Sequence, residues 1–258
     1  MLKMVREAAK LIFFSKSTLA LTGAGVSTES GIPDFRSPKS LLWERIHSYQ
    51  FMPIEAYVDG DFNYIEIFYK YWFPLLFPMI YCEPNINHYF LLRLEAWGLL
   101  SGIITQNTDG LHKKAGSSQV FEIHGNVGRG RCTECAKNYP IEFVVGEIET
   151  LNIPPACKDC GGIVGPDIMF AFERTPDYDE GLKRTMESEV LLVMGSSLLV
   201  DHVKEVVLGC IEGGGRLIII NSQPTPFDEA AEKGGGIVIR ERLSSVVIPL
   251  WEHLSRYF

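Results

Sequence analysis

No stretch of this 258-residue chain is long and apolar enough to span a bilayer. The richest apolar run, Phe68 to Ile80, is interrupted by Lys70, Pro74 and Pro78. The N-terminal residues, Met1 to Glu7, offer no small-residue cleavage site of the kind that ends a secretory leader. Both absences predict a cytoplasmic protein with no membrane partner. Positive charge is in deficit: 24 Lys and Arg against 32 Asp and Glu give a net charge of −8, which argues against direct binding of nucleic acid. There is no internal repeat and no low-complexity segment, so repeat architectures and long disordered linkers drop out.

What is present fits an enzyme-sized globular chain. Apolar residues make up 46% and charged residues 22%, enough for a real core in one large domain, alone or carrying a smaller one. Cysteine is sparse, but four of the six form two pairs, Cys132-x-x-Cys135 and Cys157-x-x-Cys160, with 21 residues between them. Each pair can chelate one edge of a tetrahedron, and Gly161 and Gly162 suit a metal knuckle. Four thiolates would close the coordination sphere, so the zinc, one per chain, would be structural. Two disulfides or a redox Cys-x-x-Cys are the alternatives. Cys82 and Cys210 read as plain buried thiols.

The most informative stretch runs from Leu21 to Arg36. The short β-prone run Ser17 to Leu21 leads into Gly23-Ala24-Gly25, where the lack of Cβ lets backbone N–H groups approach a phosphate. Ala24 to Ser30 is expected to form a short helix whose N-terminus favours an anion. This is not the usual dinucleotide fingerprint: its third glycine would fall at position 28, which is Thr28, and no ribose-binding acid is evident about 20 residues beyond. The continuation Gly31-Ile32-Pro33-Asp34-Phe35-Arg36 is more than a phosphate loop requires.

Elsewhere, polar turns follow apolar strands. Val5 to Phe14 reads as an amphipathic helix, and Leu42 to His47 and Pro53 to Val58 as short helical turns. Asp61 to Tyr81 carries nine aromatic residues with no clean period; it either faces a groove or is buried all round. Asn85 to Trp97 is a helix stopped by Gly98. Strands are expected at Gly102–Gln106, Val120–Ile123, Val190–Met194, Arg216–Ile220 and, at an edge, Ile237–Ile239. Helices are expected at Val203–Ile211 and Leu243–Leu254, the last with a kink at Pro249. Alternating strands and helices predict an α/β fold with a doubly wound, Rossmann-like parallel sheet. Residues 1–39, 85–125 and 165–258 would form this discontinuous Rossmann-like domain. A helical insertion (40–84) and a zinc-ribbon insertion (126–164) would form the small domain.

The Leu21–Arg36 block resembles the signature of the sirtuins, the NAD-dependent protein deacylases. The likeness continues in order through Thr105 to His112, Ala115 to Ser117, Glu122 to Gly125, both cysteine pairs, Met194 to Leu198, and Asn221 with Pro224 to Pro226. It implies that Gly23, Ala24, Gly25, Gly195, Ser196, Ser197 and Asn221 hold the phosphates and riboses of NAD. Ser27, Gln106, Asn107 and Asp109 would line the ribose and nicotinamide pocket, beside Ile32, Asp34, Phe35 and Arg36. His124 would be the general base, with Asn107 as its catalytic companion. In the implied reaction the substrate's amide oxygen displaces nicotinamide, a ribose hydroxyl attacks the adduct as His124 takes its proton, and the acyl group leaves on ADP-ribose. A histidine has the right unperturbed pKa for that task. His47, His88, His202 and His253 have no such motif around them.

The resemblance also implies that an acylated lysine peptide adds as a strand beside Gly165 to Glu173, with Ile168, Phe170 and Phe172 on one face. This segment departs from the family pattern: Gly165 stands for an arginine, and Ala171-Phe172 for Phe-Gly, which would either narrow the groove, the favoured reading, or shift the loop by a residue so that the ring packs against the zinc module. Tyr69 is followed by Trp72 where acid-removing members carry an arginine, which predicts neutral acyl groups, acetyl or longer. Competing readings are an oxidoreductase, a non-catalytic NAD or ADP-ribose binding module, and a protein ADP-ribosyltransferase.

Overall fold

The protein was analysed as a computed structural model that describes residues 1–33, 68–168 and 175–258, apart from the side chains at positions 71, 72 and 75. The expected helices over 42–47 and 53–58 lie outside the described residues. Helix α1 (Leu2–Phe14) buries Val5, Ala8, Ala9 and Ile12, the spacing of one helical stripe. It leads into β1 (Thr18–Thr22), every residue of which is buried. The chain then makes two 3₁₀ turns, Ala24–Val26 and Thr28–Ser30, rather than the single helix expected across them. The Ser27 N–H turns back to the Ala24 carbonyl, and Gly31, at φ 86°, ends the segment. Turns this short carry little of the helix dipole on which the sequence argument leaned.

Phe68–Trp72 is a π-turn, Phe73–Leu76 one turn of α-helix and Phe77–Tyr81 a 3₁₀ turn. Pro74 and Pro78 have no N–H to give, so no single helical ladder can run through the segment. Of its aromatic residues, Phe68, Tyr69 and Phe73 are buried, while Tyr81 is exposed. Helix α2 (Ile86–Ala96) starts with a capping box: Asn85 accepts from the Asn87 N–H, and His88 Nδ1 accepts from the Asn85 N–H.

Then follow β2 (Gly102–Thr105), α3 (Leu111–Ala115), β3 (Val120–Glu122), β4 (Gly125–Cys132), β5 (Asn138–Pro140), α4 (Ile141–Glu149) and β6 (Val164–Ile168). The C-terminal part contributes α5 (Pro176–Met186), β7 (Val190–Met194), α6 (Asp201–Glu212), β8 (Arg216–Ile220), α7 (Asp228–Lys233), β9 (Ile237–Ile239) and α8 (Leu243–Leu254). Helices α4, α5 and α7 have no counterpart in the sequence reading. The reason is plain for α5, whose buried positions are Tyr178, Gly181 and Thr185, a pattern without an aliphatic stripe.

Among the described residues, the large sheet has six strands in the order β3-β2-β1-β7-β8-β9, and all its pairs are parallel. Strand order therefore reverses between β1 and β7, which opens a crevice at their carboxyl ends. One face of the sheet packs under α1, α2 and α8, and the other under α5, α6 and α7. The second sheet, β5-β4-β6, is antiparallel and has its own core of Phe68, Tyr69, Phe73, Tyr139, Ile141, Val144 and Val164. A smaller cluster of Ile32, Met79, Leu111 and Val127 lies where chain from both sheets meets. Among the described residues no helix is long and apolar enough to cross a membrane.

Candidate active site

At the switch point two turns interlock. The Gly23 N–H donates to the Met194 carbonyl at 3.0 Å and the Gly25 N–H to the Gly195 carbonyl at 2.9 Å. A Cβ at Gly25 would meet Gly195 Cα at 2.7 Å, and one at Gly195 (φ +62°) would meet Gly25 at 2.8 Å. These glycines are thus required by backbone meeting backbone, and the two N–H groups expected to face a phosphate are spent within the fold. Ala24 stands between them, and Ser197 is half-buried beyond Ser196 on the facing turn. Gly25, Gly195 and Asn221 line a cavity of about 250 Å³ together with Thr28, Glu29 and Glu241. The Ser196 hydroxyl accepts from Gln106 Nε2 at 2.7 Å, tying the β7 turn to the end of β2.

Beneath this lies a buried polar chain whose proton directions can be deduced. His88 Nδ1 accepts from the Asn85 N–H, so its proton sits on Nε2, aimed at Ser27 Oγ 3.5 Å away. Asn107 Nδ2 also donates to Ser27 Oγ, at 3.0 Å, and to the Gly23 carbonyl at 3.2 Å. The hydroxyl proton of Ser27 therefore goes to Asp109 Oδ2, at 2.7 Å. Asp109 Oδ1 accepts from the Leu111 N–H at 2.9 Å. Burial raises the Asp109 carboxyl, while the Ser27 and Leu111 donors pull it back down. Burial alone lowers His88 to about 4. His88, which sequence left without a role, thus orients Ser27.

His124 sits where β3 turns into β4. Gly125 makes that turn possible: its φ is +79°, and a Cβ there would lie 2.1 Å from the Asp167 carbonyl oxygen of β6. His124 Nδ1 lies 2.7 Å from the Gln106 carbonyl oxygen, so Nδ1 carries the proton and Nε2 keeps a lone pair. That Nε2 lies 2.5 Å from Nε2 of His202, the first turn of α6. Burial, with His202 second, lowers His124 to about 4; the Gln106 carbonyl works in the other direction. His202, also passed over in the sequence, is therefore a direct neighbour of the candidate base.

A buried acid, a half-buried acid and an arginine support this corner. The Glu122 carboxylate, almost wholly buried, accepts from Lys113 (2.8 Å), Arg129 (3.0 Å) and Asn126 (2.6 Å). Arg129 also forks onto Asp167 Oδ2, at 3.0 and 3.2 Å. It thereby links the first sheet to the second.

Of the other residues expected here, Ile32 is buried in the cluster with Met79, Leu111 and Val127. Ile168 ends β6, opposite Gly125. Asp34, Phe35, Arg36, Phe170 and Phe172 lie outside the described residues. Tyr69 faces inward; its hydroxyl donates to the Val164 carbonyl at 2.8 Å inside the second sheet's core.

The four paired cysteines converge, their sulfurs all within 4.8 Å of one another. Cys132–Cys160 and Cys135–Cys157 are 3.5 and 3.7 Å apart. Tetrahedral zinc with thiolate bonds of about 2.3 Å needs sulfurs about 3.8 Å apart, so the donor set fits that ion. These distances exclude S–S bonds, and all four are free cysteines. Tyr139 hydrogen-bonds Cys157 Sγ at 3.1 Å and is the main cause holding that thiol below its ordinary value.

Comparison with known proteins agrees with this geometry. The model of the Sir2 family matches residues 23–202. "NAD-dependent protein deacetylase 2" of Caldanaerobacter subterraneus subsp. tengcongensis is 42% identical over 247 residues, covering 95% of this chain and 94% of its own. The NAD-dependent protein deacetylase of Thermotoga maritima is 38% identical, covering 88% and 90%. Among solved structures, a Sir2 complex with deacetylated p53 peptide and 3'-O-acetyl-ADP-ribose superimposes with a TM-score of 0.83 at 34% identity, covering 96% and 97%. One with p53 peptide and NAD+ gives 0.79 at 34%, covering 97% of each chain. By sequence and by architecture, the chain belongs to the Sir2 family.

Proposed function

We infer that the protein is an NAD-dependent protein-lysine deacetylase, releasing nicotinamide and an O-acyl-ADP-ribose. The observation that carries the reading is convergence: Ser27, Asn107, Asp109 and His124 meet at the carboxyl ends of β1, β2 and β3, beside the interlocked turns. Bound NAD supplies the chemistry, an anomeric carbon from which nicotinamide can leave. The chain supplies the rest. Gly25, Gly195 and Asn221 line the cavity, and Gly23, Ala24, Ser196 and Ser197 are assigned with them, by motif, to the phosphates and riboses. Gln106, Asn107 and Asp109 offer the donors and acceptors that hold an amide and hydroxyls. His124 presents an unprotonated Nε2 and so can take a proton. Asp34, Phe35 and Arg36 are assigned to the same pocket from the motif alone.

The peptide partner fits the second sheet. Strand β6 is an edge of the β5-β4-β6 order, so its outer backbone groups can pair with an added strand. We place the acyl-lysine peptide there, with Ile168 and, by motif, Phe170 and Phe172 beside it. Neutral acyl groups are the favoured substrates, because Tyr69 has its hydroxyl committed to Val164. The two separate sheets support a two-domain division with zinc holding the smaller one, and a cytoplasmic setting suits free thiols.

Incubating the protein with NAD and an acetylated peptide, read by mass spectrometry, should yield deacetylated peptide, nicotinamide and acetyl-ADP-ribose. His124→Ala should abolish these products while NAD still binds. NADH absorbance instead of nicotinamide would point to an oxidoreductase, and ADP-ribose left on protein to a transferase. A succinylated peptide turned over faster than an acetylated one would remove the acyl preference.

A further inference from the structure

His124 has both ring nitrogens engaged before any ligand arrives: Nδ1 with the Gln106 carbonyl and Nε2 with His202. The second engagement matters because Nε2 holds the lone pair a base needs. His202 can approach on this line because it sits in the first turn of α6, directly after the Gly195 turn of β7. The two rings meet edge to face, their centroids 4.8 Å apart at 76°. Since His124 carries its proton on Nδ1, the proton between the rings belongs to His202 Nε2, which donates.

We propose that His202 is a positioning residue for His124, holding the base's Nε2 in the empty site and receiving its proton during turnover. The inference rests on the reading of His124 as general base.

Burial makes a charged His124 costly, so a proton that it accepts needs a nearby destination. His202 is half-buried, and so bridges the base and solvent. Burial lowers the basicity of its ring overall, while Glu205 and Asp201 on its own helix work in the other direction, with Lys204 bonded to Asp201. Across from it on α5, Tyr178 presents its ring edge to face and donates its hydroxyl to Glu205 at 2.6 Å and to the His202 carbonyl at 3.2 Å. Among the described residues, His124 and these groups are the titratable and charged neighbours of the ring.

The steps balance. When a ribose hydroxyl occupies His124 Nε2, His202 is released and exchanges through water to its Nδ1–H form. The hydroxyl O–H bond then breaks as the His124 Nε2–H bond forms, and the oxygen keeps the electron pair. That N–H bond breaks in turn as His202 Nε2 gains the proton, and His202 loses its Nδ1 proton to water. The net change is one proton passed from the hydroxyl to solvent.

Four proteins test this: wild type, His202→Gln, His202→Ala and His124→Ala. In ligand-free wild-type protein, nitrogen-15 histidine NMR should show His124 with its proton on Nδ1 and a strongly deshielded proton between the rings. The deshielded signal should vanish in His202→Gln. NAD affinity by calorimetry should stay within about threefold in both His202 variants. Exchange of labelled nicotinamide into NAD, which precedes the base's step, should stay within about twofold, while deacetylation falls at least about tenfold, a modest share of the general-base effect. Added imidazole should restore much of the rate in His202→Ala and none in His124→Ala.

Absence of the deshielded signal in wild type, or deacetylation at the wild-type rate in both His202 variants, overturns the proposal. So does a parallel loss of exchange and deacetylation in His202→Gln, which would mean that the ring only packs. If His124→Ala itself still turns over, the reading of the base fails and takes this inference with it. Full loss in His124→Ala with normal His202 variants removes the inference alone.

Discussion

At the scale of single residues, the site is a set of hydrogen-bond directions with little freedom. Ser27 Oγ accepts from Asn107 and faces the His88 Nε2–H, and it donates to Asp109. Ser27→Ala leaves the Asp109 carboxylate one donor short and the Asn107 amide with only the Gly23 carbonyl as acceptor, both in a buried setting. The expected cost is about 1–3 kcal/mol in urea unfolding, with turnover reduced at least about tenfold through a misplaced Asn107. Acid sensitivity follows from the same burial. The folded pKa of His88 is depressed from 6.5 to about 4, so below pH 6.5 the unfolded chain takes up a proton that the native state refuses. Stability is full above that pH, falls as pH drops through the interval, and stops falling near pH 4. This one group accounts for about 3 kcal/mol. His112, buried against it and also lowered, acts in the same direction. Urea midpoints at pH 7.5 and 5.0 should show the drop, and His88→Gln should flatten it. An unchanged slope in the variant would assign the acid sensitivity elsewhere.

At the scale of elements, the second sheet depends on its cysteine knuckles. Strand β4 ends at Cys132 and β6 begins opposite it at Val164, shortly after the second pair, so the four sulfurs pin both strands at one end of the β4–β6 ladder. Metal binding there is folding energy. Fresh protein should contain one zinc per chain by elemental analysis. Chelation should abolish hydrogen-exchange protection in β4–β6 while leaving β1, β7 and β8 protected. Uniform loss across both sheets would show that the smaller one is no separate unit. The same elements explain what could be read from sequence. The strands of the large sheet were legible because each is built on a short apolar run, and the cysteine pairs because their spacing is itself geometry. Helix α5 was hidden: its inward positions are Tyr178, Gly181 and Thr185, and nothing in its composition marks a buried face. The His124–His202 pair was hidden for another reason. It spans 78 positions and exists only because β3 and β7 deliver their ends to the same rim. No local pattern encodes that meeting, whereas Glu122 to Gly125 could be read in place.

At the scale of the molecule, Arg129 joins the two sheets, with Glu122 of β3 on one side and Asp167 of β6 on the other. Arg129→Ala leaves Lys113 as the cationic partner of Glu122 and frees the β6 end from the first sheet. Stability should fall by about 1–3 kcal/mol, the range for a buried acceptor that loses a charged donor. KM for an acetylated peptide should rise several-fold with KM for NAD little changed, if the peptide pairs with β6 as proposed. Equal rises in both constants would argue that the bridge shapes the whole crevice. The interlocked glycines carry a consequence for how the protein is born. Gly25 is made early in synthesis and Gly195 late, yet each requires the other's backbone to complete the cradle. On the ribosome, at about 5–20 residues per second, β1 can pair only with β2 until β7 emerges, so one of its edges stays open for many seconds. A nascent chain shorter than Gly195 therefore lacks half of the interlocked turns, and its exposed apolar strand edge is a natural client for a chaperone.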